Sequence, residues 1–187
     1  MTSKVPTYVA LDTETGGIGE DKSLLTAYLA ILDEDLNVID ELDLKTKPDD
    51  GVYRVVGEAL RINKIDLATH DLEAITYKEA GTKIYDFLYK NNPGGKLKLI
   101  PVGHNVAFDI KFLCEHTLSK KSFDKYVGYR CLDSGTISMF LMKTGRLPQM
   151  NASLGTLAAH YGITFDSHTA KGDTLATVAV MKEFLKL

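Results

Sequence analysis

Four carboxylates and one imidazole, drawn from three separate stretches, are the side chains of this sequence that could do chemistry together. They are Asp12 and Glu14 near the start, Asp109 in the middle, and His168 with Asp173 near the end. Carboxylate oxygens are favoured ligands of hard cations such as Mg²⁺. Two such cations, with a histidine as general base near neutral pH, can drive hydrolysis of a phosphodiester. Asp12 and Glu14 flank Thr13, and alternate side chains of an extended chain share a face. Both acids would therefore project together and repel unless a cation sits between them. Acid-x-Glu spacing also arises on wet surfaces, but here a strand leads in and Gly16-Gly17 follows, where a ligand could approach the backbone closely. Asp109 falls in the first turn of an expected helix, near its positive end. An acid there either binds something or is a solvated first-turn residue. Positions 173, 176, 177, 180 and 184 share a helical face. Ala176, Val180 and Phe184 make that face apolar, which turns Asp173 inward, where an unpaired charge is costly. His168 lies five residues before Asp173, but His104 and Asp109 show the same spacing, so spacing alone does not choose the base.

The elements that must position these groups read as follows. Tyr8 to Leu11 is a short apolar strand that stops at Asp12. Residues 24–32 and 36–46 make two more strands, with the polar turn Asp33-Glu34-Asp35 between them, so a hairpin is expected. Leu97 to Val102 is a fourth strand after the breaker Asn91-Asn92-Pro93-Gly94-Gly95, and Tyr129 to Leu132 a short fifth. Leu72, Ile75, Ile84, Phe87 and Leu88 fall near one helical face. Asn105 is placed to cap a helix carrying Phe108, Phe112 and Leu113. Residues 134–143, 153–161 and 174 to the end complete the helices, with Gly162 as a stop signal. Strands first, then helices interleaved with strands, predicts a mixed sheet flanked by helices.

Composition bounds the rest. The 187 residues suit one domain with a proper core. No run of about 18 apolar residues is present, so no membrane span is expected. The opening MTSKVPTYVA lacks an apolar signal core. Cys114 and Cys131 make neither a disulfide framework nor a zinc site, so they are expected to be buried thiols in a reducing, cytoplasmic setting. A net charge of −3 argues against a strongly basic nucleic-acid grip. It does not exclude a nucleic-acid enzyme, because bound metals can supply positive charge. Local clusters at Lys96/Lys98, Lys111 and Lys120/Lys121/Lys125 read as solvated faces.

Taken together, Asp-Thr-Glu-Thr-Gly at 12–16, His-Asn-Val-Ala-Phe-Asp at 104–109 and His-x4-Asp at 168–173 resemble the three motifs of the DnaQ-like 3′–5′ exonucleases, in the DEDDh branch. The resemblance runs from about Tyr8 to Leu185. It implies a ribonuclease H-like α/β fold with a five-stranded mixed sheet flanked by helices, as a single exonuclease domain over residues 1–187. It implies release of nucleoside monophosphates from 3′ ends with two divalent cations, Mg²⁺ or Mn²⁺. By the resemblance Asp12, Glu14 and Asp173 hold the metal that activates the attacking water. Asp12, with Asp109 partly through water, holds the metal on the leaving-oxygen side, and His168 is the base. Residues 58–65 resemble the segment lining the terminal-nucleotide pocket. Glu58, Ile62 and Asn63 are then substrate contacts, with Thr15, Gly16, His104 and Phe108; the plainer alternative for that segment is an ordinary helix-turn contact. Two departures bear on the pocket. Leu25-Thr26-Ala27 stands where many relatives carry a glutamate, and Lys64 stands where a glycine is usual.

The expected activity is thus a 3′–5′ exonuclease on single-stranded or frayed ends, DNA slightly favoured. RNA 3′-end trimming is the alternative within the same family. A non-catalytic module that binds nucleic acid or a partner protein, and a two-metal endonuclease of the same broad fold, are the rivals. The chain ends just after the last helix, so no attached polymerase, helicase or clamp-binding tail is expected, and a polymerase or other replication or repair partner could act in trans.

Overall fold

Val9 and Leu11 face one side of the first strand and Ala10 the other, the two-residue alternation of an extended chain, and both sides are buried. A strand covered on both faces must be central, and the computed structural model places it so. The model describes residues 7–19 and 21–187. Residues 1–6, part of the stretch without a signal core, lie outside the described residues, as does Glu20. The strands are β1 (Tyr8–Thr15), β2 (Leu24–Leu32), β3 (Val38–Lys47), β4 (Ile75–Thr76), β5 (Ile100–Gly103) and β6 (Leu132–Asp133). They form one mixed sheet in the order β4-β3-β2-β1-β5-β6. β1, β2 and β3 pair antiparallel, while β5 joins β1 in parallel. The expected mixed sheet is present with six strands rather than five. The extra strand, β4, is only two residues long and pairs in parallel with the end of β3.

The helices are α1 (Gly57–Asn63), α2 (Leu67–Glu73), α3 (Tyr77–Asn91), α4 (Val106–His116), α5 (Lys120–Phe123), α6 (Ser134–Lys143), α7 (Leu154–His160) and α8 (Ala170–Phe184). Val9, Leu11, Leu29 and Ile31 pack with Ile84, Leu88 and Phe112 of α3 and α4 on one face. Ala10, Ala30 and Leu32 pack with Leu141, Leu157, Val180 and Phe184 of α6, α7 and α8 on the other. None of the helices among the described residues is long and apolar enough to cross a membrane.

Three expectations need correction. The apolar face drawn through Leu72 and Ile75 to Leu88 is two helices and a strand, and Leu72 is 85% exposed. Thr76 and Glu79 form a reciprocal capping box that starts α3 afresh, so the helical period breaks there. Cys131 is exposed and Cys114 only half-buried, so the thiols are not a buried pair. Asn105 does occupy the cap position of α4, but in a left-handed conformation and without a side-chain cap bond.

The cap comes instead from Asp133. Its Oδ2 accepts from the Val106 amide at 2.9 Å and its Oδ1 from the Thr136 amide at 2.9 Å. One carboxylate thus caps both α4 and α6, the helices that carry Asp109 and wall the site. Asp133→Ala is expected to lower stability by about 2 kcal/mol, two caps at about 1 each. Thermal denaturation should show a drop of about 4–8 °C for a chain of this size. Asp133→Asn, with one carbonyl oxygen to share, should fall between. A midpoint within a degree of wild type in the alanine variant would refute the double cap.

Candidate active site

The strand alternation that builds the core also sorts the functional groups. Asp12 and Glu14 follow the parity of Ala10 and point to the side covered by α8. Thr13 follows Leu11 and points to the side of α4. On the first side, ligand oxygens of Asp12, Glu14 and Asp173 all lie within 4.8 Å of one another. On the second, Asp109 of α4 is buried and its Oδ1 accepts from both the Thr13 amide (3.0 Å) and the Thr13 hydroxyl (2.7 Å). Three of the four expected acids therefore form one cluster, while Asp109 stands beside it with one oxygen committed to Thr13. Sequence reasoning missed Thr13; the same alternation that paired Asp12 with Glu14 puts it on the opposite face.

The segment His-Thr-Ala-Lys-Gly-Asp shows why Asp173 sits where it does. The Thr169 side chain caps α8 by accepting from the Gly172 amide at 3.1 Å, and the Asp173 amide bonds the Thr169 carbonyl at 2.9 Å. Position 172 must be glycine, because a Cβ there would meet the Asp166 carbonyl oxygen at 2.0 Å. His168, left-handed at φ 63°, donates its backbone N–H to Asp173 Oδ1 at 3.4 Å. Its side chain is exposed.

Electrostatically the cluster is starved of positive charge. Burial, then the neighbouring Asp109, Asp173 and Glu14 carboxylates, push Asp12 well above the ordinary aspartate range. Burial and the charges of Asp173 and Asp109 raise Glu14 to about 7. Burial raises Asp109 to about 7 against the lowering effect of the Thr13 bonds, and burial raises Asp173 as well. An all-oxygen donor set of mutually repelling, desolvated carboxylates suits hard divalent cations such as Mg²⁺ or Mn²⁺, which relieve the repulsion they bind into. The residues present therefore fit the metals that the sequence implied.

Two clefts meet at His168. One, of about 790 Å³, runs from Asp173 past His104 to α6 and the 151–155 loop. The other, of about 430 Å³, runs from Glu14 past Thr26 to Asn63, Lys64 and Ile65. The α6 wall, with Met139 63% exposed, was not legible as a site feature. Among the substrate-contact candidates, His104 lines the first cleft, its Nδ1 2.9 Å from the Ser134 hydroxyl, and burial lowers its pKa. Asn63 lines the second but is itself buried, donating to the Thr15 carbonyl and accepting from the Ile65 amide. The Thr15 hydroxyl bonds the Gly17 carbonyl, and a Cβ on Gly16 would sit 2.5 Å from the Arg54 carbonyl oxygen. Phe108 is half-buried against Phe112, ring centroids 4.7 Å apart. Glu58 and Ile62 line neither cleft; Glu58 is tied to Arg61 on an exposed face.

Four described residues other than glycine have positive φ: Leu36, Lys64, Asn105 and His168. Three of them line these two clefts. Each left-handed residue costs about 1–2 kcal/mol relative to the right-handed form, and such outliers concentrate where function constrains the backbone.

No protein-family model matches the chain, and no curated protein matches it in sequence. Its fold does match solved structures. An E. coli exonuclease I complex with a dT13 oligonucleotide superposes with a TM-score of 0.76 at 20% identity, covering 95% of this chain and 40% of that one. A zinc-bound E. coli exonuclease I–single-stranded DNA complex superposes with a TM-score of 0.76 at 19% identity, over 95% and 40% of the two chains. An SSB/exonuclease I structure with an inhibitor superposes at 0.75 and 19% identity, over 95% and 41%. The chain spans about 40% of the length of these structures. Across nearly all of its length, then, this chain has the ribonuclease H-like α/β fold of exonuclease I, with the carboxylate cluster at the end of its central strand.

Proposed function

We propose that residues 1–187 form a single metal-dependent 3′–5′ exonuclease domain that releases nucleoside monophosphates from single-stranded or frayed ends. The observation that carries this reading is the convergence of Asp12, Glu14 and Asp173, from opposite ends of the chain, beside His168 where two clefts meet. Asp12, Glu14 and Asp173 would hold one divalent cation, and Asp12 with Asp109 a second. Bound there, such cations stabilise charge developing on the phosphoryl oxygens and favour ionisation of water. His168 accepts the proton of the attacking water. Thr13 fixes the orientation of Asp109, and the Thr169 cap fixes that of Asp173. Thr15, Gly16, His104 and Phe108 would contact the terminal nucleotides. With a net charge of −3 the grip does not rest on a basic groove, which means modest affinity and relaxed sequence preference. DNA is the favoured substrate, in keeping with the dT13 complex of the structural neighbour. A polymerase or repair protein would act with it in trans, in a cytoplasm that keeps its two free thiols reduced.

The test is a panel of 5′-labelled single-stranded DNA, single-stranded RNA and mismatched duplex with Mg²⁺. Expected is stepwise shortening from the 3′ end with monophosphate release, fastest on single-stranded DNA and abolished by EDTA. Faster RNA shortening would reassign the substrate. Cutting of circular single strands would make the chain an endonuclease, and no release from any substrate would make it a binding module.

A further inference from the structure

Lys64 has three properties that occur together in none of its neighbours. It closes α1 in a left-handed conformation, φ 57° and ψ 25°, which glycine would adopt without strain. It lines the cleft that also contains Glu14 and His168. Its ammonium has no ion-pair partner among the described residues, whereas the other two lysines of that cleft are paired, Lys45 with Glu73 and Lys171 with Glu41.

The backbone holds Lys64 in place from both sides. Asn63 is buried and ties the position to the end of β1 through the Thr15 carbonyl, while its side-chain oxygen accepts from the Ile65 amide just beyond. Lys64 is therefore fixed relative to Glu14 by the strand that carries Glu14. A strained, exposed lysine, held on a cleft that contains Glu14, Asp43 and Asp66 yet without a carboxylate of its own, has a use if an anion enters that cleft. The polyanion that the site is built to cut is such an anion.

Building on the exonuclease reading above, we propose that Lys64 is a substrate-binding residue, its ammonium contacting a backbone phosphate of the single strand as it passes Glu14. It offsets the repulsion between the strand and the carboxylates and takes no part in the proton transfers. A lysine contacts phosphate as a point charge rather than through a planar fork, so the contact is indifferent to base sequence.

The test measures binding of a fluorescein-labelled single-stranded DNA oligonucleotide by anisotropy at several salt concentrations, with Mg²⁺, in the Asp12→Asn background so that strands are not cut. Lys64→Gly and Lys64→Asn both suit a left-handed backbone, so neither should unfold the chain. Each is expected to weaken binding about three- to tenfold at 0.1 M salt and to reduce the slope of log Kd against log salt by about 0.7, one phosphate contact of a single strand. Lys64→Arg is expected to restore most of both. Unchanged affinity and slope in the glycine and asparagine variants would overturn the proposal. So would an arginine variant as weak as asparagine, or absence of any binding by the Lys64 parent. Monophosphate release by the wild-type chain is read separately, so the exonuclease reading and the Lys64 contact fail independently.

Discussion

Asp12→Asn is expected to reduce Mg²⁺-dependent release of monophosphates by about 10³-fold or more while making the metal-free protein more stable. The loss follows from the position of Asp12 at the centre of the cluster, within reach of Glu14 and Asp173 and raised electrostatically by Asp109. Cation stabilisation of the reacting phosphate is worth several kcal/mol, and each 1.36 kcal/mol is about tenfold in rate. The gain in stability follows from the same fact. Without a cation the four acids are desolvated like charges, and an amide of the same shape removes the one that Asp109, Asp173 and Glu14 all repel. Relief of about 1–2 kcal/mol, or roughly 2–8 °C in Tm, is the expected size.

The pH dependence has a definite sign. Glu14 rises from its ordinary 4.5 to about 7, and Asp109 from 3.8 to about 7. A carboxylate raised on folding binds its proton more tightly in the folded than in the unfolded chain. From these two groups, stability therefore falls as pH rises between about 4 and about 7. Glu14 alone contributes on the order of 3 kcal/mol to that fall, less whatever water at its exposed edge screens. Metal-free wild type should melt lower at pH 8 than at pH 5, and Asp12→Asn should flatten the slope. Mg²⁺ or Mn²⁺ should reverse it, since cations bind the ionised ligands. Calorimetry with EDTA and with Mg²⁺ across this range decides the matter. A metal-free Tm that climbs with pH, or no gain from Asp12→Asn, would remove the physical basis assigned to the cluster.

What the sequence reveals here is local, and what it hides is non-local. β2 and α6 coincide with their expected limits because an unbroken apolar run and a continuous helical stretch are local signals. The inward turn of Asp173 was readable from the apolar company of Ala176, Val180 and Phe184, all buried in the fold. β4 escaped notice because two residues have no period, and only their pairing with β3 makes them a strand. Asp133 went unread: its cap on α6 is a local signal that was not singled out, and its second cap, on α4, depends on β5 and β6 lying side by side. The same holds for Thr13, whose partner Asp109 is 96 positions away. Lys64 appeared in the sequence only as a lysine in place of a glycine. Its left-handed backbone and its place on the cleft belong to the fold.

His168→Asn is expected to lower turnover by about 10²–10⁴-fold, the usual range for a general base, while leaving metal binding intact. Asparagine suits the case better than alanine. His168 sits at φ 63°, a region asparagine tolerates, and its contact to Asp173 is made by the backbone N–H, which any residue retains. The substitution thus removes the imidazole and spares the metal ligand. Turnover should fall with KM little changed, and the rise in Tm on adding Mn²⁺ should match wild type. The second histidine–aspartate pair supplies the control. His104 is half-buried, held at Ser134, and made harder to protonate by burial. Its replacement by asparagine should act mainly through the first cleft, raising KM more than it lowers turnover. Equal turnover losses at the two positions would leave no reason to prefer His168. An unchanged rate in His168→Asn would move the base elsewhere, and a parallel loss of Mn²⁺ stabilisation would make His168 a support for the ligands instead. The geometry favours the first outcome, because His168 lines both clefts while His104 lines only the first.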